Sequence, residues 1–340
     1  MIDCEWHALV PSLETVVPYV EEAMGLRMLE SEFVLPPAGP HPGVEIESAA
    51  IDDAYFDPAR VSQSIPASVE EVVLVPSQSM TTSGWLDHEL AAAFVSAVNS
   101  FLIDEWLPAD PRFRVAIGLA PHDGAAAGDE VRRHAHTERV VAACMPLIAV
   151  NMGHPHYHPI YEALAAAEMP LMIHPAGSEG TVIGAAAIGG AGPRTAEETY
   201  ALLPQVAAVN LASLIFDGVF DSYPKLRVVF AGFGFEWAPM YVWRAVQEWR
   251  GLRVAVPWVT RSPWETLAAK VRFVVDASAA RHDPRASTIA AMLPETVLLY
   301  GSDGPYAADE PADVLADAPP ALRERVLRDN AIETFGSRLP

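Results

Sequence analysis

The stretch Met1–His7 (MIDCEWH) opens the chain with a short apolar run that ends in Glu5 and His7. Residues i and i+2 of a β-strand point to the same face, so these two side chains can converge on one point. A carboxylate beside an imidazole suits a divalent cation such as Zn, Mn or Fe. Because a Glu-x-His pair also arises by chance, it predicts a metal site only if other strands end in the same way.

Two later apolar runs do end in metal-binding side chains. Leu171–His174 (LMIH) finishes in a histidine, and Val297–Asp303 (VLLYGSD) finishes in an aspartate. Three separate strands that end in such groups predict one mononuclear metal site, with four ligands: Glu5, His7, His174 and Asp303.

Eight short runs rich in Val, Ile, Leu and Phe recur along the chain, as expected for strands that are buried on both faces. They are Met1–His7, Glu71–Ser77, Arg114–Pro121, Met145–Asn151, Leu171–Ala176, Arg227–Gly232, Arg272–Ser278 and Val297–Asp303. Helical segments separate them at Leu86–Trp106, Gly128–Ala143, Pro159–Ala167, Thr195–Tyr223, Ala238–Leu252 and Asp309–Phe335. This alternation predicts an α/β protein, a (β/α)8 TIM barrel that forms a single domain over residues 1–340.

A doubly wound open sheet is the alternative architecture. It is disfavoured because no glycine-rich phosphate loop follows any strand, and Gly232–Gly234 lacks the third glycine of the nucleotide-binding pattern. Two irregular segments interrupt the barrel pattern. Glu30–Pro66 is predicted to be an insertion after the first strand, and Gly177–Pro193 follows the fifth. Since barrel enzymes carry their chemistry on the loops at the strands' carboxyl ends, both are candidate lids.

Composition narrows the function. A hydrophobic fraction of 51% and a charged fraction of 19% indicate a soluble protein with a large core. No apolar run reaches the length of a membrane span, no secretory signal is visible, and Cys4 and Cys144 are expected to be reduced, so we predict a cytoplasmic location. The net charge of −22 argues against a nucleic acid partner. An anionic substrate would need local positive charge from a metal ion or an arginine.

Several motifs together resemble a known family. They include the opening Ile2–His7 and the segments Leu74–Gln78, Tyr157–Glu162, Ile173–Pro175, Phe216–Phe220, Pro224–Val229, Trp237–Pro239 with Trp243–Arg244, and Gly301–Pro305. The chain is similar to the amidohydrolase superfamily, in the amidohydrolase-related branch of aminocarboxymuconate semialdehyde decarboxylase. The resemblance covers nearly the whole chain. It implies a (β/α)8 barrel with one divalent metal ion, Zn first and Mn or Fe as alternatives, held by Glu5, His7, His174 and Asp303. Asp303 is also placed among the catalytic residues.

The sixth strand departs from the family pattern. Its usual histidine or glutamate is missing, and Gly232 stands near the expected position. Glu236 could serve as a displaced acid or base, or it could cap the following helix. His154 and His156, in the loop after the fourth strand, are further catalytic candidates because an imidazole titrates near neutral pH.

Other residues are candidates for binding. Trp6 and Phe233 at strand ends would form an apolar wall for a flat substrate, unless they belong to the core. Arg281 would contact a substrate carboxylate, unless it is a surface cation. The tryptophans of one late segment predict a homodimer contact, because they exceed what one helix face needs for its core: Trp237, Trp243, Trp249, Trp258 and Trp264.

The leading function is a metal-dependent lyase that decarboxylates a small aromatic or unsaturated carboxylic acid, since the Glu-x-His pair resembles the aromatic-acid decarboxylases of the branch. The alternative is a metal-dependent hydrolase of a small ester, lactone or amide. A second alternative is a catalytically impaired binding protein on the same barrel. A sugar- or phosphate-handling barrel is disfavoured because no phosphate loop follows the last two strands.

Overall fold

The computed structural model describes residues 1–30, 35, 52–175, 195–276, 284–306 and 314–339. Eight parallel strands form one sheet in sequential order, from β1 to β8. The strands are β1 (Ile2–Ala8), β2 (Glu71–Pro76), β3 (Phe113–Gly118), β4 (Val140–Pro146), β5 (Leu171–His174), β6 (Val228–Phe230), β7 (Val271–Asp276) and β8 (Leu298–Gly301). Trp6 makes a parallel bridge to Gly304, which brings β1 next to the end of β8. The architecture is the predicted (β/α)8 barrel.

Helices surround the sheet. Those that precede the fifth strand are α1 (Leu13–Val16), α2 (Glu22–Glu30), α3 (Pro58–Ser64), α4 (Ser77–Met80), α5 (His88–Phe101), α6 (Gly124–His134) and α7 (His158–Ala167). Those that follow it are α8 (Ala196–Phe216), α9 (Val219–Ser222), α10 (Ala238–Leu252), α11 (Pro263–Lys270), α12 (Pro284–Ala290), α13 (Pro320–Glu324) and α14 (Asn330–Phe335). Helix α10 confirms the predicted bounds.

Two hydrophobic layers hold the barrel together. The inner layer is small and includes Cys4, Val73, Ala116, Cys144 and Val229, which fill the space that the strands enclose. The outer layer is larger and lies between the strands and the helices. Both cysteines are free and buried, as expected from the sequence.

A β-bulge near the end of β1 decides which side chains reach the mouth of the barrel. Asp3 pairs with Val72 and Trp6 pairs with Leu74, so β1 has one residue more than β2 between these pairs. Bulges re-aim side chains in this way. Cys4 therefore packs in the inner layer, Glu5 follows it into the barrel, and Trp6 packs in the outer layer.

The prediction for the fourth repeat is wrong. The sequence pattern predicts a helix over Gly128–Ala143 and a strand over Met145–Asn151, whereas α6 ends at His134 and β4 runs from Val140 to Pro146. Alanines at positions 142 and 143 favour a helix in isolation. In the barrel they are fully buried strand residues, with Ala142 in the inner layer and Ala143 in the outer layer.

The two candidate lids lie largely outside the described residues. Of the predicted insertion Glu30–Pro66, residues 52–66 contain a short 3-10 helix at Asp53–Phe56 and then α3. The second candidate, Gly177–Pro193, lies wholly outside them.

One helical segment corrects the expectation that no run could span a membrane. His88–Ala109, which comprises α5 and its extension, is long and apolar enough by length and composition. Its most apolar window is 56% buried, and Phe94, Val98 and Phe101 pack in the outer layer. This packing is that of a core helix of the barrel.

Candidate metal centre

Glu5 and His7 lie at the end of β1, and their side chains are almost completely buried. Oε1 of Glu5 is 3.8 Å from Nε2 of His7. The bulge in β1 and the alternation of the strand bring both groups to the mouth of the barrel, at the carboxyl ends of the strands. This is the end at which TIM barrels carry their functional groups.

His174 is the last residue of β5, and its ring faces the same point. Its Nδ1 lies 2.6 Å from the carbonyl oxygen of Pro175, which can only accept a hydrogen bond, so Nδ1 carries the hydrogen. In the neutral ring Nε2 then presents a lone pair, and it lies 3.0 Å from Oε1 of Glu5. Two acceptor atoms this close repel each other unless a proton or a cation lies between them.

The pKa of His174 agrees with that electrostatic picture. Burial lowers it, but the Glu5 carboxylate, the Pro175 carbonyl and Asp303 together outweigh burial, so that the net pKa is raised above its ordinary value. The site therefore favours positive charge at this position.

Asp303 completes the group from two residues beyond β8. Its backbone N–H donates to the Glu5 carbonyl at 3.1 Å, and its backbone is left-handed, with φ of 55°. Its Oδ1 lies 3.1 Å from Nε2 of His7. Unlike the other three, the Asp303 side chain is 33% exposed, so a small molecule in the mouth could reach it.

The buried donors fit a metal ion. The candidate ligand atoms of Glu5, His7 and His174 lie within 4.8 Å of one another. Among the described residues, neither oxygen of Glu5 and neither ring nitrogen of His7 has a hydrogen-bond partner. Buried polar atoms are nearly always satisfied, so four such atoms at one point indicate a missing partner. Two imidazoles with carboxylate oxygens form a donor set that suits Zn, Mn or Fe.

No side chain enters the centre from β6. Gly232 has a positive φ of 75°, and a methyl group placed on it would lie 3.2 Å from Nε2 of His174. The next residues turn away, because Phe233 and Phe235 are buried in the outer layer. Position 232 therefore has no room for a side chain beside His174 and Pro175.

The three acid–base candidates make other contacts. Nε2 of His156 donates to the carbonyl of Pro121 at 2.6 Å, and Nδ1 of His154 accepts from the His156 backbone. The Glu236 carboxylate accepts from the Phe235 N–H before α10. It does not cap that helix, because the N-terminus of α10 has no side-chain cap hydrogen bond. None of the contacts between described residues joins these three side chains to the four candidate ligands.

Two of the three substrate-binding candidates lie among the described residues, and both are buried. Trp6 packs against Gly304 in the outer layer, and Phe233 is 2% exposed, so their burial favours the core alternative for both. Arg281 lies outside the described residues.

Sequence reasoning missed Tyr306 and Ser77. The Tyr306 ring lies 4.8 Å from the His7 ring, and its hydroxyl lies 2.8 Å from Oγ of Ser77. Burial raises the pKa of Tyr306 to about 12, so it stays a neutral hydroxyl. The signal in the sequence is that Ser77 is the last residue of one predicted strand and that Tyr306 stands three residues after the end of another.

Comparisons with known proteins identify a family match and several similar folds. A family model described as Amidohydrolase matches residues 2–337. The fold is similar to that of an amidohydrolase from Mycobacterium avium subsp. paratuberculosis K-10, with 19% identity, coverage of 99% of this chain and 98% of that one, and a TM-score of 0.71. It is also similar to 5-carboxyvanillate decarboxylase from Sphingomonas paucimobilis, with 18% identity, 98% of each chain covered and a TM-score of 0.69.

A third similar structure is a dihydroxybenzoic acid decarboxylase from Polaromonas sp. JS666, with bound manganese and the inhibitor 2-nitroresorcinol. It has 18% identity, covers 98% of this chain and 96% of that chain, and has a TM-score of 0.65. No curated protein matches the chain. Because the family model spans nearly every residue, this protein belongs to the amidohydrolase family.

Proposed function

We propose that this protein is a metal-dependent decarboxylase of a small aromatic carboxylic acid. The observation that carries the proposal is the convergence of Glu5, His7, His174 and Asp303. Four buried side-chain atoms of Glu5 and His7 have no hydrogen-bond partner among the residues that the structure describes. Two of the similar structures are decarboxylases of hydroxylated aromatic acids, which supports this reaction over others on the same barrel.

Glu5, His7 and His174 would hold the metal, and Asp303 would either complete the ligand set or act beside it. The bound ion would supply positive charge that attracts the substrate carboxylate and a neighbouring oxygen. This charge matters because the protein carries −22 overall and repels anions at long range.

Asp303 is our candidate for the proton transfer. In the reaction the bond between the ring carbon and the carboxylate breaks, CO2 leaves, and the ring carbon takes up a proton. The Asp303 carboxyl is partly exposed beside the buried ligands, so it can meet both substrate and solvent. The role of His154, His156 or Glu236 as acid or base stays a prediction.

The walls of the mouth suit a flat ring. Gly232 contributes no side chain on the β6 side, and Tyr306 presents an aromatic face next to His7. The Tyr306 hydroxyl and Oγ of Ser77 would orient a polar substituent of the substrate.

The test combines metal analysis with an assay for CO2. Purified protein is stripped with a chelator, reloaded with Zn or Mn, and supplied with a panel of hydroxybenzoates. We expect CO2 release to vanish on stripping and to return with the metal. A fully metallated protein that releases no CO2 from any member of the panel would overturn the proposal.

Hydrolysis is the second candidate, and the match to a family model described as Amidohydrolase favours it. In that case an ester, lactone or amide should be cleaved, with one oxygen of the product taken from labelled water. A protein that does neither reaction while fully metallated would be a binding protein on the same barrel.

The metal is proposed as a single divalent ion. Zinc follows from the resemblance in sequence, whereas manganese is the ion bound to one of the similar decarboxylases. Elemental analysis of the protein as purified, without added metal, decides between zinc, manganese and iron.

We also propose a cytoplasmic homodimer. Trp243, Trp258 and Trp264 are 59%, 51% and 39% exposed, and Met240 and Leu252 of α10 are also more than half exposed. An apolar surface of this kind is typical of an interface between proteins. Light scattering should give twice the monomer mass of 36.7 kDa, and Trp243→Glu should lower it to the monomer value.

A further inference from the structure

Asp3 is a buried acid that the proposed chemistry does not use. It lies two residues before Glu5 on β1 and is 3% exposed. Among the described residues, no lysine or arginine forms an ion pair with it. A buried carboxylate without a cation needs hydrogen bonds to compensate for lost hydration.

Asp3 obtains those hydrogen bonds from the backbones of the two strands that flank the metal centre. Its Oδ1 accepts from the Glu5 N–H at 3.1 Å and from the Ser302 N–H at 2.9 Å. The first bond holds the bulged part of β1, and the second holds the end of β8, which is 299 residues away in the chain. Oδ1 of Asp3 therefore links the first strand of the barrel to the last.

Further bonds carry this link to the candidate ligands. Oγ of Ser302 accepts from the Gly304 N–H at 3.1 Å, and the Asp303 N–H donates to the Glu5 carbonyl at 3.1 Å. The His7 N–H donates to the Gly304 carbonyl at 2.6 Å. The left-handed backbone of Asp303 is thus fixed on both sides, although this conformation is unfavourable for a residue with a side chain.

We propose that Asp3 is a positioning residue for the metal centre, and that it sets the spacing between Glu5 and Asp303 by binding the backbones of Glu5 and Ser302. The inference rests on the proposed metal site and adds a residue that does not touch the metal. Groups that orient metal ligands through hydrogen bonds typically change metal affinity by about 10- to 100-fold when they are removed.

Asn99 provides a matched control, because it is a second buried side chain that hydrogen-bonds the backbone at the end of a barrel strand. Asn99 on α5 accepts from the Gly118 N–H at 2.6 Å and donates to the Gly118 carbonyl at 2.9 Å, so it holds the end of β3. It is fully buried, like Asp3, and it contacts none of the four candidate ligands among the described residues. Loss of the hydrogen bonds of Asp3 or of Asn99 should destabilise the fold, but only the loss at Asp3 should affect metal binding.

The experiment compares Asp3→Ala, Asp3→Asn and Asn99→Ala with the wild-type protein. Metal affinity is measured by titrating stripped protein with Mn and with Zn, and stability is measured by urea unfolding of the stripped protein. We expect Asp3→Ala to weaken metal binding at least about 10-fold. Asp3→Asn keeps an oxygen at the Oδ1 position and should restore most of the affinity. Asn99→Ala should unfold more easily but bind metal like the wild type.

Three results would overturn the inference. Unchanged metal affinity in Asp3→Ala would reject the positioning role while leaving the metal site intact. An equal loss of affinity in Asn99→Ala would show that general destabilisation is the cause. Failure of the wild-type protein to bind either metal would reject the metal site itself, and the positioning role with it.

Discussion

Histidines gather on two sides of the barrel mouth, and the two groups differ in what their nitrogens face. On the side of β1, β5 and β8, His7 and His174 face the carboxylates of Glu5 and Asp303. On the side of β2, β3 and β4, the ring of His122 stacks on His88 with centroids 4.2 Å apart, and Nε2 of His122 lies 2.7 Å from the Ser83 carbonyl.

The difference explains why one group is suited to a metal and the other is not. Nε2 of His122 donates to a backbone carbonyl, as does Nε2 of His156, so these atoms are satisfied within the protein. Among the described residues, no carboxylate forms an ion pair with either ring. By contrast, neither ring nitrogen of His7 has a hydrogen-bond partner in the described part of the chain, and its Nε2 lies near the carboxylates of Glu5 and Asp303. All of these residues are histidines, so their surroundings decide which of them can bind a metal ion.

The largest effect on metal content should follow the removal of a candidate ligand from the side of β1, β5 and β8. His174→Ala should lower the metal content well below one equivalent and abolish activity, because the remaining donors are too few for a tight site. His122→Ala is the control from the second group and should keep its metal. Elemental analysis of both proteins is the measurement, and equal metal content would remove the distinction between the two groups.

A methyl group at Gly232 should have the next largest effect. Gly232→Ala places Cβ 2.9 Å from Cδ of Pro175 and 3.2 Å from Nε2 of His174, on a backbone with φ of 75°. We expect a loss of about 1–2 kcal/mol in the free energy of unfolding from the backbone alone. Metal affinity should fall as well, because His174 must move.

The control for this variant is Gly251→Ala. Gly251 lies near the end of α10, and a methyl group there would meet nothing within 4 Å. This change should be neutral or stabilise the protein by up to about 1 kcal/mol, and it should leave metal affinity unchanged. If Gly232→Ala bound metal as the wild type does, the centre would have more room on the β6 side than the structure gives it.

Removal of the Tyr306 hydroxyl should have a moderate effect. Tyr306→Phe keeps the ring beside His7 but loses the 2.8 Å contact with Ser77. We expect about a 10-fold loss in kcat/KM with metal content unchanged, which corresponds to about 1.4 kcal/mol. Ser77→Ala and the double variant complete a cycle, and strictly additive effects would show that the two hydroxyls act independently.

The smallest expected effect is on the pH dependence of stability, through His122 near β2, β3 and β4. Burial lowers the pKa of His122 from its ordinary value of 6.5, and nearby His88 and His156 lower it further against the bond to Ser83. Below pH 6.5 the unfolded chain therefore binds more protons at this position than the folded protein does. The stability contribution is complete above that pH and is lost as the pH falls through the folded pKa.

His122→Gln removes this titration. Urea unfolding at several pH values should show a shallower decline below neutrality for the variant than for the wild type. If the two curves ran parallel, burial would not hold the His122 ring neutral in the folded protein.

The sequence was sufficient to predict the barrel and the convergence of the four candidate ligands. Parallel strands that are buried on both faces must be apolar throughout, so eight runs are readable without any contact information. Their carboxyl ends meet at one edge, which is why Glu5, His7, His174 and Asp303 could be grouped from strand ends alone. The error at β4 arose because Ala142 and Ala143 favour a helix locally, whereas both are fully buried strand residues and tertiary packing overrides that preference.

Only the tertiary structure decided how the site is completed. The bulge in β1, the tautomer of His174, the contact between Tyr306 and Ser77 and the bonds of Asp3 to Ser302 all join residues that are distant in sequence or depend on hydrogen-bond direction. Such contacts leave no periodic pattern in a single chain. The residue types available to the site were therefore determined by the sequence, and the selection among its histidines came from the lone pairs that the fold leaves unsatisfied.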